Sequence, residues 1–286
     1  MYRMTTPKQG FGADASPSGA ALTFADLRDQ LARQCGVKPG DTLIVHSSMK
    51  SIGRVAGGPE AVVRALQAAV TDAGTILMPV FTAPQPDGIF RQAETPSRTG
   101  LVTETFRRTP GAVRSLHPTH SVAAWGRQAE EFVAGHDLTS GLGVGSPFHK
   151  AALAGAGVLM IGCRLTSCSL VHVSEALVRV PYLGKVLYAG YDRTLTVVAA
   201  DGSQRQMPPR DVPTDSAGFA ALQDEMARRG VLGRCLLGAA ECLKFSAMTC
   251  LDTAVAMLRR DPAALLCHNP RCPVCPVARQ IIAARP

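Results

Sequence analysis

Aromatic side chains are scarce in this chain of 286 residues, which has one tryptophan, four tyrosines and nine phenylalanines. Proteins that bind single-stranded nucleic acid stack bases on aromatic rings set among basic residues, and the chain has no run in which the two alternate. Long apolar runs are also missing, since the longest stretch without a charged residue spans 14 residues, 73–86, and is interrupted by prolines. A membrane-spanning helix takes about 20 apolar residues. The sequence therefore predicts no nucleic-acid partner and no membrane association.

Acidic residues are fewer than basic ones, 22 against 30, which gives a formal net charge of +8 at pH 7. Such an excess favours anionic partners, phosphorylated cofactors among them. The basic residues do not form one patch, because their densest pairs, Arg107-Arg108, Arg228-Arg229 and Arg259-Arg260, fall at the ends of predicted helices. Cations are favourable there because they complement the helix dipole.

Residues 1–22 lack the continuous apolar segment of a secretory signal and predict a flexible N-terminal tail. The nine cysteines are odd in number and do not have the spacing of a small secreted scaffold. Disulfides are rare in the reducing cytosol. We therefore expect a cytoplasmic protein without a disulfide framework, in which cysteines within apolar runs, Cys168 and Cys235 among them, are packed thiols.

Helix and strand patterns alternate in the first part of the chain. Thr23 and Asp26 have the spacing of a capping box at the start of a first helix. A buried strand over 42–46, a glycine-bearing loop, a helix with Pro59 in its first turn and a second strand over 75–78 follow. This order predicts a βαβ unit with two parallel strands.

The alternation continues past the middle of the chain. A buried strand over 157–162 precedes a helix over 169–180, and further helices are predicted near 215–229 and 249–260. Between the predicted helices over 169–180 and near 215–229, Asp201-Gly202 is a strong hairpin turn and indicates a small antiparallel insert.

We therefore predict an α/β fold: a single mixed domain over 23–266, with a largely parallel central sheet, flanking helices and the small antiparallel insert. Residues 267–286 form a cysteine-containing C-terminal tail in this prediction.

A polar cluster follows the first strand and includes His46, Ser47, Ser48, Lys50, Gly57 and Gly58. Hydroxyls, a cation, flexible backbone and helix N-terminal amides suit phosphate groups, and ligands favour the carboxyl ends of strands. The spacing matches neither the Walker pattern nor the dinucleotide fingerprint. A phosphate site and an ordinary strand-to-helix turn both stay open on spacing alone.

Ser169, His172 and Glu175 lie at i, i+3 and i+6 on one side of the predicted helix after residues 157–162. An imidazole titrates near neutral pH and accepts protons, and a nearby carboxylate orients it and stabilises its cation. The residues alone leave two interpretations open, a general base and a histidine that is satisfied structurally.

The C-terminal segment places three thiols and one imidazole, Cys267, His268, Cys272 and Cys275, within nine residues. These ligand types suit tetrahedral zinc. A second separated CxxC pair is missing, so a structural zinc site and packed thiols both remain open.

Six segments in this order carry a family resemblance: Val-His-Ser-Ser-Met-Lys-Ser-Ile-Gly over 45–53, Gly57-Gly58, Gly-Thr-Ile-Leu-Met over 74–78, Arg-Ser-Leu-His-Pro over 114–118 with Ser121-Val122, Gly-Ser-Pro over 145–147, and Ser169-x-x-His172-x-x-Glu175. Together they resemble the aminoglycoside 3-N-acetyltransferase family, antibiotic N-acetyltransferases distinct from the common GNAT enzymes. The likeness runs from about Asp26 to Asp261 and implies the α/β fold of that family.

The resemblance implies acetyl transfer from acetyl-coenzyme A to an amine, with an aminoglycoside as acceptor and antibiotic resistance as the outcome. His172 is then the general base, Glu175 orients it, and Ser169 is a hydroxyl donor near the thioester, with no catalytic metal. The residues expected at coenzyme A are His46, Ser47, Ser48, Lys50, Gly57, Gly58 and Ser121. The protein is expected to be a monomer or a homodimer.

Three alternatives stay open. The acceptor can be a different amine-bearing metabolite, since the segment 81–100 offers only Asp87 and Glu94 to a polycation. Cys168, four residues before His172, can be an acylated nucleophile in a ping-pong scheme. The chain can also be an inactive relative that binds coenzyme A or zinc.

Overall fold

The computed structural model describes residues 20–185, 191–209 and 215–284. Its strands are β1 (Thr42–Ser47), β2 (Thr75–Pro79), β3 (Ile89–Arg91), β4 (Val113–Arg114), β5 (Val122–Gly126), β6 (Gly157–Ile161), β7 (Leu195–Val198), β8 (Gln204–Met207), β9 (Gly233–Leu237) and β10 (Ala240–Ser246). Its α-helices are α1 (Phe24–Arg33), α2 (Met49–Ile52), α3 (Gly58–Val70), α4 (Leu101–Arg107), α5 (Ala129–Val133), α6 (Pro147–Leu153), α7 (Val171–Val178), α8 (Ala220–Arg228), α9 (Ala247–Arg260) and α10 (Cys275–Ala283).

The larger sheet has the strand order β4-β5-β2-β1-β6-β10-β9. At its centre β1 is parallel to β2 on one side and to β6 on the other. The strands outside this centre, β5 and β4 beyond β2 and β10 and β9 beyond β6, are antiparallel to their neighbours. The α/β class and the predicted βαβ unit, β1-α3-β2, are confirmed. The Thr23 capping box is also present, since Thr23 and Asp26 bond to each other's backbone amides.

The predicted hairpin at Asp201-Gly202 is confirmed, because β7 and β8 pair antiparallel across it. The hairpin belongs to a separate small sheet in which β3 adds to β7 in parallel. Phe90, Val197 and Met207 form its buried core. The sequence did not indicate β3 as a partner, because this pairing joins segments more than 100 residues apart.

Helices cover both faces of the larger sheet, and the strands alternate between two cores as the twofold repeat of a strand requires. Leu43 and Val45 of β1 point to the core under α1 and α3. Ile44 points to the opposite core, which also takes residues of α5, α6, α7 and α9. This sandwich fixes the central strands, so their carboxyl ends are rigid supports for side chains.

Most of the predicted N-terminal tail, residues 1–19, lies outside the described residues. Leu22, at the end of that predicted tail, forms an isolated bridge with Val55. The described part of the predicted C-terminal tail packs into the main core, where Val274, Cys275 and Ala278 are buried. In the described ranges, no helix is both long enough and apolar enough to cross a bilayer.

One cysteine expectation is wrong. Cys235 is not a packed thiol, because it forms a disulfide with Cys35, with 5.2 Å between the two Cα atoms. The end of α1 meets the outer strand β9 there, a contact between residues 200 positions apart. Cys163, Cys168, Cys242 and Cys250 are free, as expected.

Candidate active site

His172 and Glu175 lie on successive turns of α7, which follows the carboxyl end of the central strand β6. Residues three apart on a helix are neighbours on its surface, and here His172 Nδ1 lies 2.6 Å from Glu175 Oε2. His172 is 7% exposed and Glu175 1%. The helix begins at Val171, so it is shorter than predicted. The predicted pairing of imidazole and carboxylate is nonetheless formed.

Tyr182 extends this pair. Its hydroxyl donates a hydrogen bond of 2.9 Å to Glu175 Oε1, the oxygen that His172 does not use. The chain returns to Glu175 because Arg179 takes a left-handed conformation (φ 55°) at the end of α7. Burial and the Glu175 carboxylate raise the pKa of Tyr182, so the phenol stays protonated as a donor.

Phe219 and the turn before α7 also contact His172. Phe219 presents its ring edge-on to the imidazole, with 4.7 Å between the ring centroids. Ser169 lies in the turn before α7, where its carbonyl accepts the His172 backbone N–H at 3.3 Å. Ser169 is half-buried.

His117, His120 and His136 form a cluster beside this pair, in which His117 and His136 are buried and His120 is half-buried. His117 has its ring centroid 5.0 Å from that of His136 and 5.7 Å from that of His120. Burial, with smaller electrostatic contributions from the neighbouring His172 and His136, lowers the pKa of His120 to about 3. Burial also lowers the pKa of His136 to about 4. His120 and His136 are therefore neutral at physiological pH.

The His136 tautomer follows from its partners. The carbonyl of Gly141 can only accept, so His136 Nε2 donates to it at 2.9 Å. Nδ1 then accepts from the Ser115 hydroxyl at 2.7 Å, and that hydroxyl in turn accepts the Val122 backbone N–H at 2.8 Å. Every group in this chain of hydrogen bonds is satisfied with a neutral imidazole.

A shallow cleft opens beside His117 and His120. It lies between the loop of His117 and His120 and the β7-β8 hairpin of the small sheet, with Tyr191 and Arg193 on its wall. Arg193 is the charged side chain on the described part of this lining. The small sheet thus supplies one wall of the space in front of the histidine cluster.

Two of the residues predicted at coenzyme A lie in the interior. His46 is buried in β1, 6.1 Å from the Phe148 ring by centroids. Ser121 is fully buried, and its hydroxyl accepts from Arg114 Nε at 3.0 Å and donates to the Val80 carbonyl at 2.9 Å. These buried side chains stabilise the strands around the site. They can contribute to cofactor binding only indirectly.

The other predicted residues lie at the carboxyl end of β1. Ser47 and Ser48 are half-buried and Lys50 is exposed. Gly57 and Gly58 have left-handed backbone angles, φ 79° and 58°, at the start of α3, conformations that glycine adopts at low cost. Because β1 and β6 are adjacent and parallel, this cluster and α7 stand at the same edge of the sheet.

Cys168 is not placed to react. It is 0% exposed, between Cys250 and His46, whose hydrogen bonds lower its pKa. A nucleophile that takes an acetyl group must be reachable by the thioester, and this sulfur is enclosed by the core of α9 and β1. The burial therefore disfavours the ping-pong alternative.

The C-terminal cysteines form a cluster whose fourth member is Asp215 rather than His268. Cys267, Cys272 and Cys275 are buried, and their sulfur atoms lie together with a carboxylate oxygen of Asp215. His268 is exposed and lies outside this cluster. Asp215 was missed because 52 residues separate it from Cys267 in the sequence.

Comparison with known proteins gives a consistent result. The family model described as aminoglycoside 3-N-acetyltransferase matches residues 44–259. Aminoglycoside N(3)-acetyltransferase VII of Streptomyces paromomycinus is 32% identical over 267 residues, covering 81% of this chain and 91% of that protein. Aminoglycoside N(3)-acetyltransferase III of Pseudomonas aeruginosa is 29% identical, covering 82% and 93%.

Solved structures agree. The apoenzyme of aminoglycoside acetyltransferase AAC(3)-IVa superposes with a TM-score of 0.79 at 28% identity, covering 92% of this chain and 99% of that one. AAC-IIIb in a binary complex with CoASH has a TM-score of 0.70 at 27% identity, covering 84% and 97%.

Fold and relatives together define an acyltransferase. The chain belongs to the aminoglycoside 3-N-acetyltransferase family.

Proposed function

We propose that this protein transfers the acetyl group of acetyl-coenzyme A directly to an amino group of an aminoglycoside, with His172 as general base, and so confers resistance. The observation that carries the proposal is the hydrogen-bonded series His172–Glu175–Tyr182 at the carboxyl edge of the sheet. The two bonds fix the orientation of the imidazole, as a general base requires.

The roles of the two ring nitrogens follow from this geometry. With Nδ1–H donated to the Glu175 carboxylate, Nε2 carries the lone pair and accepts a proton from the attacking amine. The amine nitrogen then forms a bond to the thioester carbonyl carbon, the C–S bond breaks, and the leaving sulfur takes the proton from the imidazolium. Glu175 stabilises that cation while it exists.

The tetrahedral intermediate carries an oxyanion, which needs a hydrogen-bond donor. Ser169 is next to the helix that carries His172, is half-buried, and has a hydroxyl of the right chemistry. We assign it this role. Ser47, Ser48, Lys50 and the two glycines at the start of α3 then bind coenzyme A, whose phosphates also suit the net charge of +8.

Two relatives support the choice of substrates. AAC-IIIb was solved with CoASH. A mutant of AAC(3)-IVa, with a TM-score of 0.78 to this chain at 28% identity, was solved in complex with a gentamicin. These structures cover 84% and 92% of this chain respectively, so a cofactor and an acceptor of these kinds are the first candidates for it.

A specific observation favours a second candidate acceptor, an amine with fewer positive charges. Aminoglycosides are polycations, and complementary sites are acidic. The described lining of the cleft offers Arg193 and no carboxylate. Asp87 pairs with Arg91 at 2.9 Å, and Glu94 lies 3.9 Å from the same guanidinium. Asp137 pairs with Arg205 of the small sheet.

Mass spectrometry of reaction products separates the candidates. Purified protein is incubated with acetyl-coenzyme A and a panel of 2-deoxystreptamine aminoglycosides and simpler amines, and each product is fragmented. A singly acetylated aminoglycoside, modified at position 3, is expected. Acetylation of simpler amines alone would support the second candidate. A protein that binds coenzyme A but acetylates no amine would contradict the proposed activity.

A further inference from the structure

Four potential metal ligands converge where the C-terminal segment meets the residues before α8. The sulfur atoms of Cys267, Cys272 and Cys275 and a carboxylate oxygen of Asp215 all lie within 4.8 Å of one another. The three thiols are free and buried. We propose that these four residues bind one structural zinc ion.

The spacing suits the ion. Zinc binds thiolate sulfur at about 2.3 Å and carboxylate oxygen at about 2.0–2.2 Å, so ligand atoms of a tetrahedral site lie about 3.8 Å apart. A cluster already confined within 4.8 Å reaches that separation by small side-chain rotations. Three thiolates favour zinc over calcium or magnesium, which prefer oxygen. A full set of four protein ligands is typical of structural zinc.

The surroundings of the sulfur atoms fit a thiolate site. The backbone N–H of Cys267 donates to Cys275 Sγ at 3.3 Å, and the backbone N–H of Cys275 donates to Cys272 Sγ at 3.4 Å. Such donors orient and stabilise metal-bound thiolates. Arg279 donates to the Leu266 carbonyl at 2.9 Å, which places a cation beside a site whose three thiolates, one carboxylate and Zn²⁺ sum to a negative charge.

A second group of cysteines shows what distinguishes this cluster. Cys35, Cys235 and Cys242 are also close together, but Cys35 and Cys235 are already joined in a disulfide. That group has three members, and two of its sulfur atoms are oxidised. Proximity of cysteines alone therefore does not make a site, whereas the Asp215 cluster combines four ligands with unoxidised thiols.

The site ties the C-terminal segment to the wall of the active site. Gly218 lies so close to the Leu265 and Leu266 backbone that an added Cβ would collide with it. The next residue, Phe219, packs its ring edge-on against His172. The zinc site thus anchors the segment that holds Phe219. Its effect on the active site rests on the proposed function, whereas zinc binding does not.

The first test is metal analysis of the full chain, expressed without a metal-binding tag and purified in reducing buffer. Inductively coupled plasma mass spectrometry is expected to give about one zinc per chain. Cys272→Ser and Cys275→Ser are expected to lose it, whereas Cys163→Ser, a half-buried thiol outside the cluster, keeps it. Zinc well below one equivalent in the wild type, even after reloading, would overturn the proposal, as would full zinc in Cys272→Ser.

Cobalt substitution tests the ligand set in the wild-type chain, so the proposal does not depend on variants that fold. Sulfur-to-cobalt charge-transfer absorption from three thiolates and a tetrahedral d–d spectrum are expected. Asp215→Ala should weaken zinc binding in a chelator competition, and Asp215→Cys should restore it. Unchanged affinity in Asp215→Ala, or an octahedral cobalt spectrum, would refute the four-ligand site whether or not the enzyme acetylates amines.

Discussion

Tyr182 donates a hydrogen bond to the Glu175 oxygen that is left over when the other oxygen pairs with His172. The carboxylate is therefore held at both ends and cannot rotate away from the imidazole. Because the three side chains lie in the interior, each bond acts in a medium that strengthens it. Tyr182 is thus a positioning residue for the base.

Replacing Tyr182 by Phe removes this bond and keeps the ring. We expect kcat to fall about tenfold, the equivalent of about 1.4 kcal/mol and a normal value for one hydrogen bond. The KM for acetyl-coenzyme A should not change. A Glu175 carboxylate without this donor attracts the imidazolium more strongly, so the acid limb of the kcat–pH profile should move to higher pH.

The pH profile distinguishes positioning from packing. A lower kcat with an unshifted acid limb would mean that Tyr182 only fills space. An unchanged kcat and profile would remove Tyr182 from the account altogether. Tyr191→Phe, on the wall of the cleft, is the matched control and should leave the acid limb in place.

Cys168→Ala tests the enclosed thiol. Direct transfer does not use this sulfur, so we expect kcat within about threefold of wild type, with a loss of stability of about 1 kcal/mol for a small buried side chain. Steady-state kinetics and thermal unfolding measure the two effects. Loss of turnover together with an acetylated Cys168 peptide in the wild-type enzyme would establish a covalent intermediate instead.

The low pKa values of His120 and His136 predict that the folded protein loses stability in acid. The pKa of His120 is about 3 and that of His136 about 4 in the folded state, against about 6.5 in an unfolded chain. Between the folded and unfolded pKa values, the unfolded state binds more protons than the folded state. The contribution of these histidines to the free energy of unfolding is therefore complete above pH 6.5 and decreases as the pH drops towards 4. Each histidine contributes about 3 kcal/mol to this loss.

Urea unfolding at several pH values measures how steeply the free energy of unfolding changes with pH. His136→Gln should be less stable at pH 7, because its bonds to Ser115 and Gly141 are altered, but its stability should fall less between pH 6.5 and 4.5. A variant slope as steep as that of the wild type would show that His136 is not one of the groups that take up protons on unfolding.

The local signals in the sequence predicted local structure well. Thr23 and Asp26 marked the first helix because a capping box is read within four residues. Likewise, the spacing of His172 and Glu175 predicted their contact, because i, i+3 positions meet on any helix.

Contacts between distant segments were not predictable in the same way. Tyr182 reaches Glu175 through the left-handed turn at Arg179, which no turn residue announces. Phe219 and Asp215 arrive at their sites from a separate element, and their positions depend on how α8 and the C-terminal segment pack. These are properties of tertiary packing, and neither periodicity nor motif spacing encodes them locally.

The most direct test of the account is the kcat of His172→Ala with acetyl-coenzyme A and the best acceptor, beside calorimetric binding of coenzyme A. Loss of a general base lowers kcat by about 10²- to 10⁴-fold, and coenzyme A affinity should be unchanged. His149→Ala, a half-buried histidine of α6, is the matched control and should keep its turnover. A folded His172→Ala variant with near wild-type kcat would contradict the central claim.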